Sequence, residues 1–304
     1  MSQSVPNSAA KVAPPVGHGA RTFDTPEPVS VNVEIGVGVV HVTATERTDT
    51  VVEVLPGRPG HAGDLALVKQ TTVERAGNLV AIRQPRHWPR YLFGPGRLRE
   101  SIDIRIALPT GSELRVDTLA NGAVSCSGRL GEAQVSTGFG EVRIDRTGPL
   151  RVSTGFGDIS VDRAGGRVEA KTGSGAVRIG AIDGPAMVKN SNGDTWIGQV
   201  IGDVEVKAAN GSIAVDRAGA GVTARTANGP VLLGEVARGA VLALTAVGRV
   251  EVGVRAGVAA RLDLHTRFGN ILNELEAAAG PEPGEDRVEI HARTSAGDIT
   301  VRRC

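Results

Sequence analysis

The chain has 304 residues, with 34 basic against 33 acidic side chains, and although 40% of it is hydrophobic only 3% is aromatic. Charge so nearly balanced, with no long block of either sign, excludes a nucleic-acid binder that relies on backbone electrostatics. The scarcity of aromatics excludes a bulky conventional core and favours a narrow interior of Val, Ala, Ile and Leu, while 41 glycines without a collagen period imply many tight turns.

Residues 1–28, rich in Pro, Ser and Ala and without an apolar h-region, read as a disordered leader rather than a secretory signal. No window approaches about 18 consecutive apolar residues, so no transmembrane helix is expected. Cys126 and Cys304 cannot build a disulfide framework, and a reducing compartment is the inference. The expected location is cytoplasmic, free or membrane-peripheral.

Residues 29–111 form an N-terminal β segment that caps the downstream repeats. Clean alternation marks Val29 to Ile35, Val40 to Ala44 and Val51 to Val54 as strands, arranged as hairpins or as wide, irregular first coils. Leu65 to Glu74, Leu79 to Arg83 and Ser101 to Leu108 continue the series. An insertion at 84–100, QPRHWPRYLFGPGRLRE, holds the only Tyr and one of the two Trp. It is either a partner-binding loop, with Trp88, Arg90, Tyr91, Phe93, Arg97 and Arg99 as contacts, or an aromatic plug over the first coil.

Residues 112–304 are a repeat array. Glycine words recur at Gly122, Gly140, Gly157, Gly175, Gly193, Gly211, Gly229, Gly248, Gly269 and Gly297, most of them 17 to 19 residues apart. Each unit has two short alternating runs, such as Val204 to Ala208 and Ile213 to Asp216, separated by the glycine word and closed by a second corner. Two strands and two corners in about 18 residues make one coil of an all-β solenoid, stacked on its neighbours at about 4.8 Å. About ten coils give a β-helix-like rod roughly 45–50 Å long. The one helical candidate is Glu274 to Ala279, and 277–286 is a Pro-rich acidic loop. Ile299 to Val301, followed by Arg302 and Arg303, leaves a weakly protected C-terminal edge that could admit end-to-end self-association.

Chemical constellations are sparse. The six histidines have no metal-ligand spacing, neither cysteine has a CxxC partner, and no nucleophile elbow or phosphate loop is present. His41, His265 and His291 read as strand-ladder residues. Asp158, Asp194 and Asp298 come after the glycines at 18-residue spacing, which suits turn chemistry better than a nonapeptide calcium repeat. No catalytic residue, metal or cofactor is assigned, and no enzymatic activity is expected.

The succession IDIRIALPTGSELRVDTLANGAVSCSG, VSTGFGEVRID, VSTGFGDISVD, AKTGSGAVRIG, ARLDLHTRFGNILNEL and VEIHARTSAGDITVRR resembles a bacterial β-strand-repeat family, the putative adhesins, a domain of unknown function common in actinomycetes. The resemblance runs from about Val29 to the C-terminus. It implies a solenoid-like fold, no established enzymatic activity, and kinship with domains of Gram-positive cell-envelope stress proteins. The function expected is a non-enzymatic binding module for an unknown protein or envelope component. The alternative is a self-assembling scaffold resembling the bactofilins, and an enzyme would need converging acidic side chains that the sequence does not show.

Overall fold

The structure, a computed structural model, describes residues 19–84, 100–276 and 286–304. Its first elements are β1 (Arg21–Asp24), β2 (Ser30–Ile35), β3 (Gly38–Thr45), β4 (Asp49–Pro56), α1 (Ala62–Gln70), β5 (Thr72–Ala76), β6 (Leu79–Arg83) and β7 (Ile102–Pro109). The regular repeats supply β8 (Glu113–Asn121), β9 (Val124–Arg129), β10 (Ala133–Phe139), β11 (Val142–Thr147), β12 (Leu150–Phe156), β13 (Ile159–Ala164), β14 (Val168–Ser174), β15 (Val177–Ile182), β16 (Ala186–Asn192), β17 (Thr195–Val200), β18 (Val204–Asn210), β19 (Ile213–Ala218), β20 (Val222–Asn228), β21 (Val231–Val236), β22 (Gly239–Val247) and β23 (Val250–Val254). Last come β24 (Ala259–Phe268), β25 (Ile271–Asn273), β26 (Arg287–Ala296) and β27 (Ile299–Arg303).

The protein is an all-β solenoid. The two runs of each repeat go to opposite sheets, and each strand pairs in parallel with its counterpart one repeat away: Val135 faces Val152, Val152 faces Ala170, and Ala170 faces Val188. Alternation then carries every second side chain inward. The columns Val135, Val152, Ala170, Val188 in one sheet and Ile144, Val161, Ile179, Ile197 in the other are all buried, and they fill a narrow aliphatic core. Cys126 belongs to it: burial pushes its thiol up to about 12, so it is a small apolar filler.

The repeated word has a physical reason at the corner. Gly157 takes φ +148°, and a Cβ there would lie 2.1 Å from the Gly140 carbonyl oxygen of the next coil. Nine of the ten glycine words have this left-handed corner; Gly122, in the first, does not. At most corners an inward threonine then binds the glycine carbonyl of the adjacent coil; Asn190 takes that place in one coil, donating to Gly175 O at 3.0 Å, and Thr118, before the first corner, makes no such bond. Thr137 Oγ1 donates to Gly122 O at 3.0 Å, Thr172 to Gly157 O at 3.2 Å and Thr245 to Gly229 O at 2.9 Å. One coil has Ala208 in this column, and the carbonyl it leaves, Gly193 O, is taken by Asn190 Nδ2 at 2.9 Å.

Among the described residues twelve parallel coils stack, two more than the periodicity indicates, because the N-terminal segment is drawn into the array. β2 and β3 pair in parallel with β8 and β9, and β6 and β7 stack outside them. Beyond that, β4 and β5 run antiparallel, β1 pairs with β4, and α1 packs on β4 and β7. β1 falls within the leader expected at 1–28; residues 1–18 lie outside the described residues.

Two local expectations change. Leu65 to Glu74 is not one strand. His61 caps α1 by accepting from the Asp64 N–H, and Asp64, Leu67 and Val68 are buried at helical spacing before Thr71 ends the helix. The far edge is not Ile299 to Val301 either. β26 and β27 are inserted beneath β24 and β25, so the latter pair forms the open end. Glu274 to Glu276 are non-helical, and the rest of that helical candidate lies outside the described residues.

Candidate binding face

Between β12 and β22 the outer face of one sheet carries an ordered strip that the 18-residue period produces. Four consecutive coils read Lys171-Thr-Gly-Ser174, Lys189-Asn-Ser-Asn192, Lys207-Ala-Ala-Asn210 and Arg225-Thr-Ala-Asn228. In-register pairing aligns Lys171, Lys189, Lys207 and Arg225 in one exposed column and Ser174, Asn192, Asn210 and Asn228 in another, at the glycine corner. Gly173, Ser191, Ala209 and Ala227 lie between them. The strip therefore runs along the rod as a cationic wall on the outward face and an amide wall at the corner, roughly 10 Å apart, with small residues between them.

The amide wall is a ladder. Asn210 Nδ2 donates to Asn192 Oδ1 and Asn228 Nδ2 to Asn210 Oδ1, each at 2.8 Å. An amide so placed keeps one N–H and spare acceptor capacity for a ligand. Along the same column towards the N-terminus stand Phe156 and Phe139, more than half exposed, with rings stacked at 5.1 Å and 7°. Past the other end the wall becomes apolar at Val247.

The cationic wall is neutralised on alternate coils. Lys171 pairs with Glu169 at 2.6 Å and Lys207 with Glu205 at 2.5 Å, and these hydrogen bonds hold both carboxyls below the usual value. On the intervening coils the neighbouring outward positions are Met187 and Thr223, and Lys189 and Arg225 make no direct ion pair with a described residue, although both act at longer range on Glu205, while Glu169 is shared between Lys171 and Arg151. Like charges stacked on adjacent rungs repel, so the column is unfavourable to the fold taken by itself.

No family model matches the chain, and no curated protein matches it. Solved structures with a similar course of chain include a putative adhesin from Bacteroides fragilis, 13% identical, spanning 94% of this chain and 96% of its own, at a TM-score of 0.33. A putative lipid binding protein from Parabacteroides distasonis is 13% identical over 97% and 100%, at a TM-score of 0.44. A putative cell adhesion protein from Clostridium sporogenes is 12% identical over 94% and 99%, at a TM-score of 0.23. At these TM-scores the likenesses decide nothing about function.

The six residues expected to contact a partner, Trp88, Arg90, Tyr91, Phe93, Arg97 and Arg99, lie outside the described residues. Their segment joins β6 to β7, and its far flank is held by Asp64, which accepts from Ser101 N at 3.1 Å and pairs with Arg58. The Gly-Asp residues do turn work: Asp158 Oδ1 accepts from Ala176 N at 2.7 Å, Asp194 Oδ1 from Ser212 N at 2.8 Å and Asp298 Oδ1 from Asn270 N at 2.8 Å.

Sequence reasoning missed one constellation. β3 and β9 place His41 Nδ1 2.6 Å from Ser125 Oγ, with Asp103 Oδ1 3.8 Å from His41 Nε2. The second distance is too long for a hydrogen bond, and Arg105 holds the other Asp103 oxygen at 2.9 Å. The base therefore lacks the orienting partner that a nucleophilic triad needs. Among the described residues there is no group of three or more side chains placed to hold a metal ion, and no helix is long and apolar enough to cross a membrane.

The open end is a separate feature. Ala260, Leu262 and Leu264 of β24 are only half-buried because no coil among the described residues covers them, and a cavity of about 750 Å³ lies there between Leu262, Leu275, Glu289 and Arg303. Phe268 is 71% exposed. The opposite end is covered by antiparallel strands and α1, so rung-on-rung head-to-tail assembly meets unlike ends.

Proposed function

We propose that this chain is a non-enzymatic, adhesin-like interaction protein that binds an extended anionic partner along its outer face. The partner is of the kind a cell envelope presents. One observation carries the reading: four successive coils repeat a cation and an amide across the same strip, and two of the cations have no ion-pair partner there. The aliphatic core needs none of these side chains, and a column of like charges is tolerated more easily when a ligand neutralises it. The strip offers no acid, base or nucleophile set for bond cleavage, which agrees with a binding role. The sequence resemblance to adhesins points the same way.

The test is charge reversal of Lys189 and Arg225 together, beside a control reversal of Arg115, which sits near the N-terminal end of the same sheet. Binding is read on immobilised polyanions by biolayer interferometry at several salt concentrations. The reading expects wild-type binding that weakens with salt, is lost in the Lys189→Glu, Arg225→Glu variant and persists in the Arg115→Glu control. Equal binding by all three proteins would remove the face from consideration.

A further inference from the structure

We infer that the strip binds a linear acidic polysaccharide in which a uronate alternates with a neutral sugar, a reading that rests on the interaction face proposed above. The argument lies in the spacing of free charge. All four coils of the wall carry a cation, but Glu169 and Glu205 neutralise the first and third. Lys189 and Arg225 remain without a direct ion-pair partner among the described residues, two rungs apart and each sharing only the longer-range field of Glu205, which places the least neutralised charge every 9–10 Å or so along the rod. An extended β-linked glycan advances by about one rung per sugar. A carboxylate on every second sugar therefore meets Lys189 and then Arg225, and the neutral sugar between them meets the Lys207–Glu205 pair.

The other wall suits the same ligand. Asn192, Asn210 and Asn228 stand one per coil opposite the cations, and their free N–H groups and acceptor oxygens match the hydroxyls that every sugar along the chain presents. The small outward residues Gly173, Ser191, Ala209 and Ala227 beside the cations leave room for a flat pyranose ring to lie against the sheet. At one end the exposed Phe156 and Phe139 offer an apolar surface to the C–H face of a further sugar.

Other polyanions fit less well. A single strand of nucleic acid needs separate aromatic platforms for successive bases, whereas these two rings stack on each other. Duplex DNA binding draws on many phosphate contacts, and here the free cations stand in single file beside two carboxylates. An anionic bilayer calls for a broad basic patch with apolar anchors, not a line one residue wide.

The experiment uses the full chain and titration calorimetry with four probes: hyaluronan oligosaccharides, which alternate uronate with neutral sugar; polygalacturonate oligosaccharides, charged on every sugar; a DNA duplex; and vesicles containing phosphatidylserine. Hyaluronan is expected to bind best. Lys189→Gln with Arg225→Gln should weaken it by about tenfold, and Met187→Glu with Thr223→Glu, which neutralises the same two cations and leaves them in place, should do likewise. Far-UV circular dichroism confirms that each variant is folded. Tighter binding of polygalacturonate overturns the alternating-charge assignment and leaves the face standing. Preference for DNA or vesicles, sensitive to the same variants, overturns the glycan and also leaves the face. Binding that ignores both double variants, or no binding of any probe, overturns both readings.

Discussion

Replacing Gly157 by alanine tests the corner on which the whole stack depends. Gly157 sits at φ +148°, where an L side chain is strained by about 1–3 kcal/mol. Its Cβ would lie 2.1 Å from Gly140 O and 2.6 Å from Gly140 C, both backbone atoms that no rotamer change can move. Relief requires the two coils to separate at the corner. That puts at risk the bonds between those two coils from Gly140 N to Phe156 O and from Val142 N to Asp158 O, both at 2.9 Å, each contributing about 1 kcal/mol net. The expected destabilisation is about 3–5 kcal/mol, read as a lower urea midpoint by far-UV circular dichroism. Gly165 is the control. It lies at the opposite corner without a left-handed φ, and its added Cβ would be 3.5 Å from the nearest atom, Thr147 O. Gly165→Ala should stay within about 1 kcal/mol of wild type. Similar midpoints for the two variants would refute the steric account of the repeated glycine.

Three further outcomes are expected of the same molecule. Thr172→Val removes the hydroxyl from Gly157 O and should lower stability by about 1–3 kcal/mol, while Thr172→Ser should recover most of it in the same urea titration. Asp64, which hydrogen bonding to Arg58 holds down to about 2 against an ordinary 3.8, contributes stability that is complete above about pH 4 and is lost as the pH falls towards 2. Thermal midpoints measured from pH 5 to pH 2 should therefore fall more steeply for wild type than for Asp64→Asn, and parallel curves would contradict this assignment. Iodoacetamide at pH 8 should alkylate exposed Cys304 and spare buried Cys126 until denaturant is added, which peptide mass spectrometry resolves.

Period-two alternation and the glycine words were enough to read the class, the coil and the core columns, because these depend on spacing within one repeat. The corner threonines were visible as part of VSTGFG, but their role was not. Thr154 hydrogen-bonds a carbonyl 14 residues away, a relation that exists only once the coils are stacked. The cationic strip was legible in principle, since Lys or Arg stands three residues before Asn or Ser in four consecutive repeats. It is inconspicuous beside the glycines and the aromatic-rich insertion, and only in-register pairing turns it into a column. The helix α1 was hidden by Leu65, Leu67 and Val73, which imitate strand alternation, while its cap is a histidine, an uncommon choice for that position.

The ends of the rod could not be read from local pattern because the order of coils departs from the order of the chain. Near the N-terminus the chain lays down β2 and β3, moves outward through β4 to β7, and then steps back past β2 and β3 to begin the regular array. At the other end it leaves β22 and β23, skips a level to form β24 and β25, and returns to place β26 and β27 in the gap. The physical consequence is the same at both ends. Each outermost parallel coil is tethered by chain on both sides, and β2, β3, β26 and β27, which a sequential stack would leave at its edges, are paired on both sides. Ends that would otherwise fray first are thereby tied into the ladder. The binding strip between β12 and β22 lies in the interior of this stack, where neighbouring coils on either side hold its rungs in register. A row of charges spaced by backbone hydrogen bonds keeps its spacing only in such a place, which is why a periodic ligand is a better match to it than a compact one.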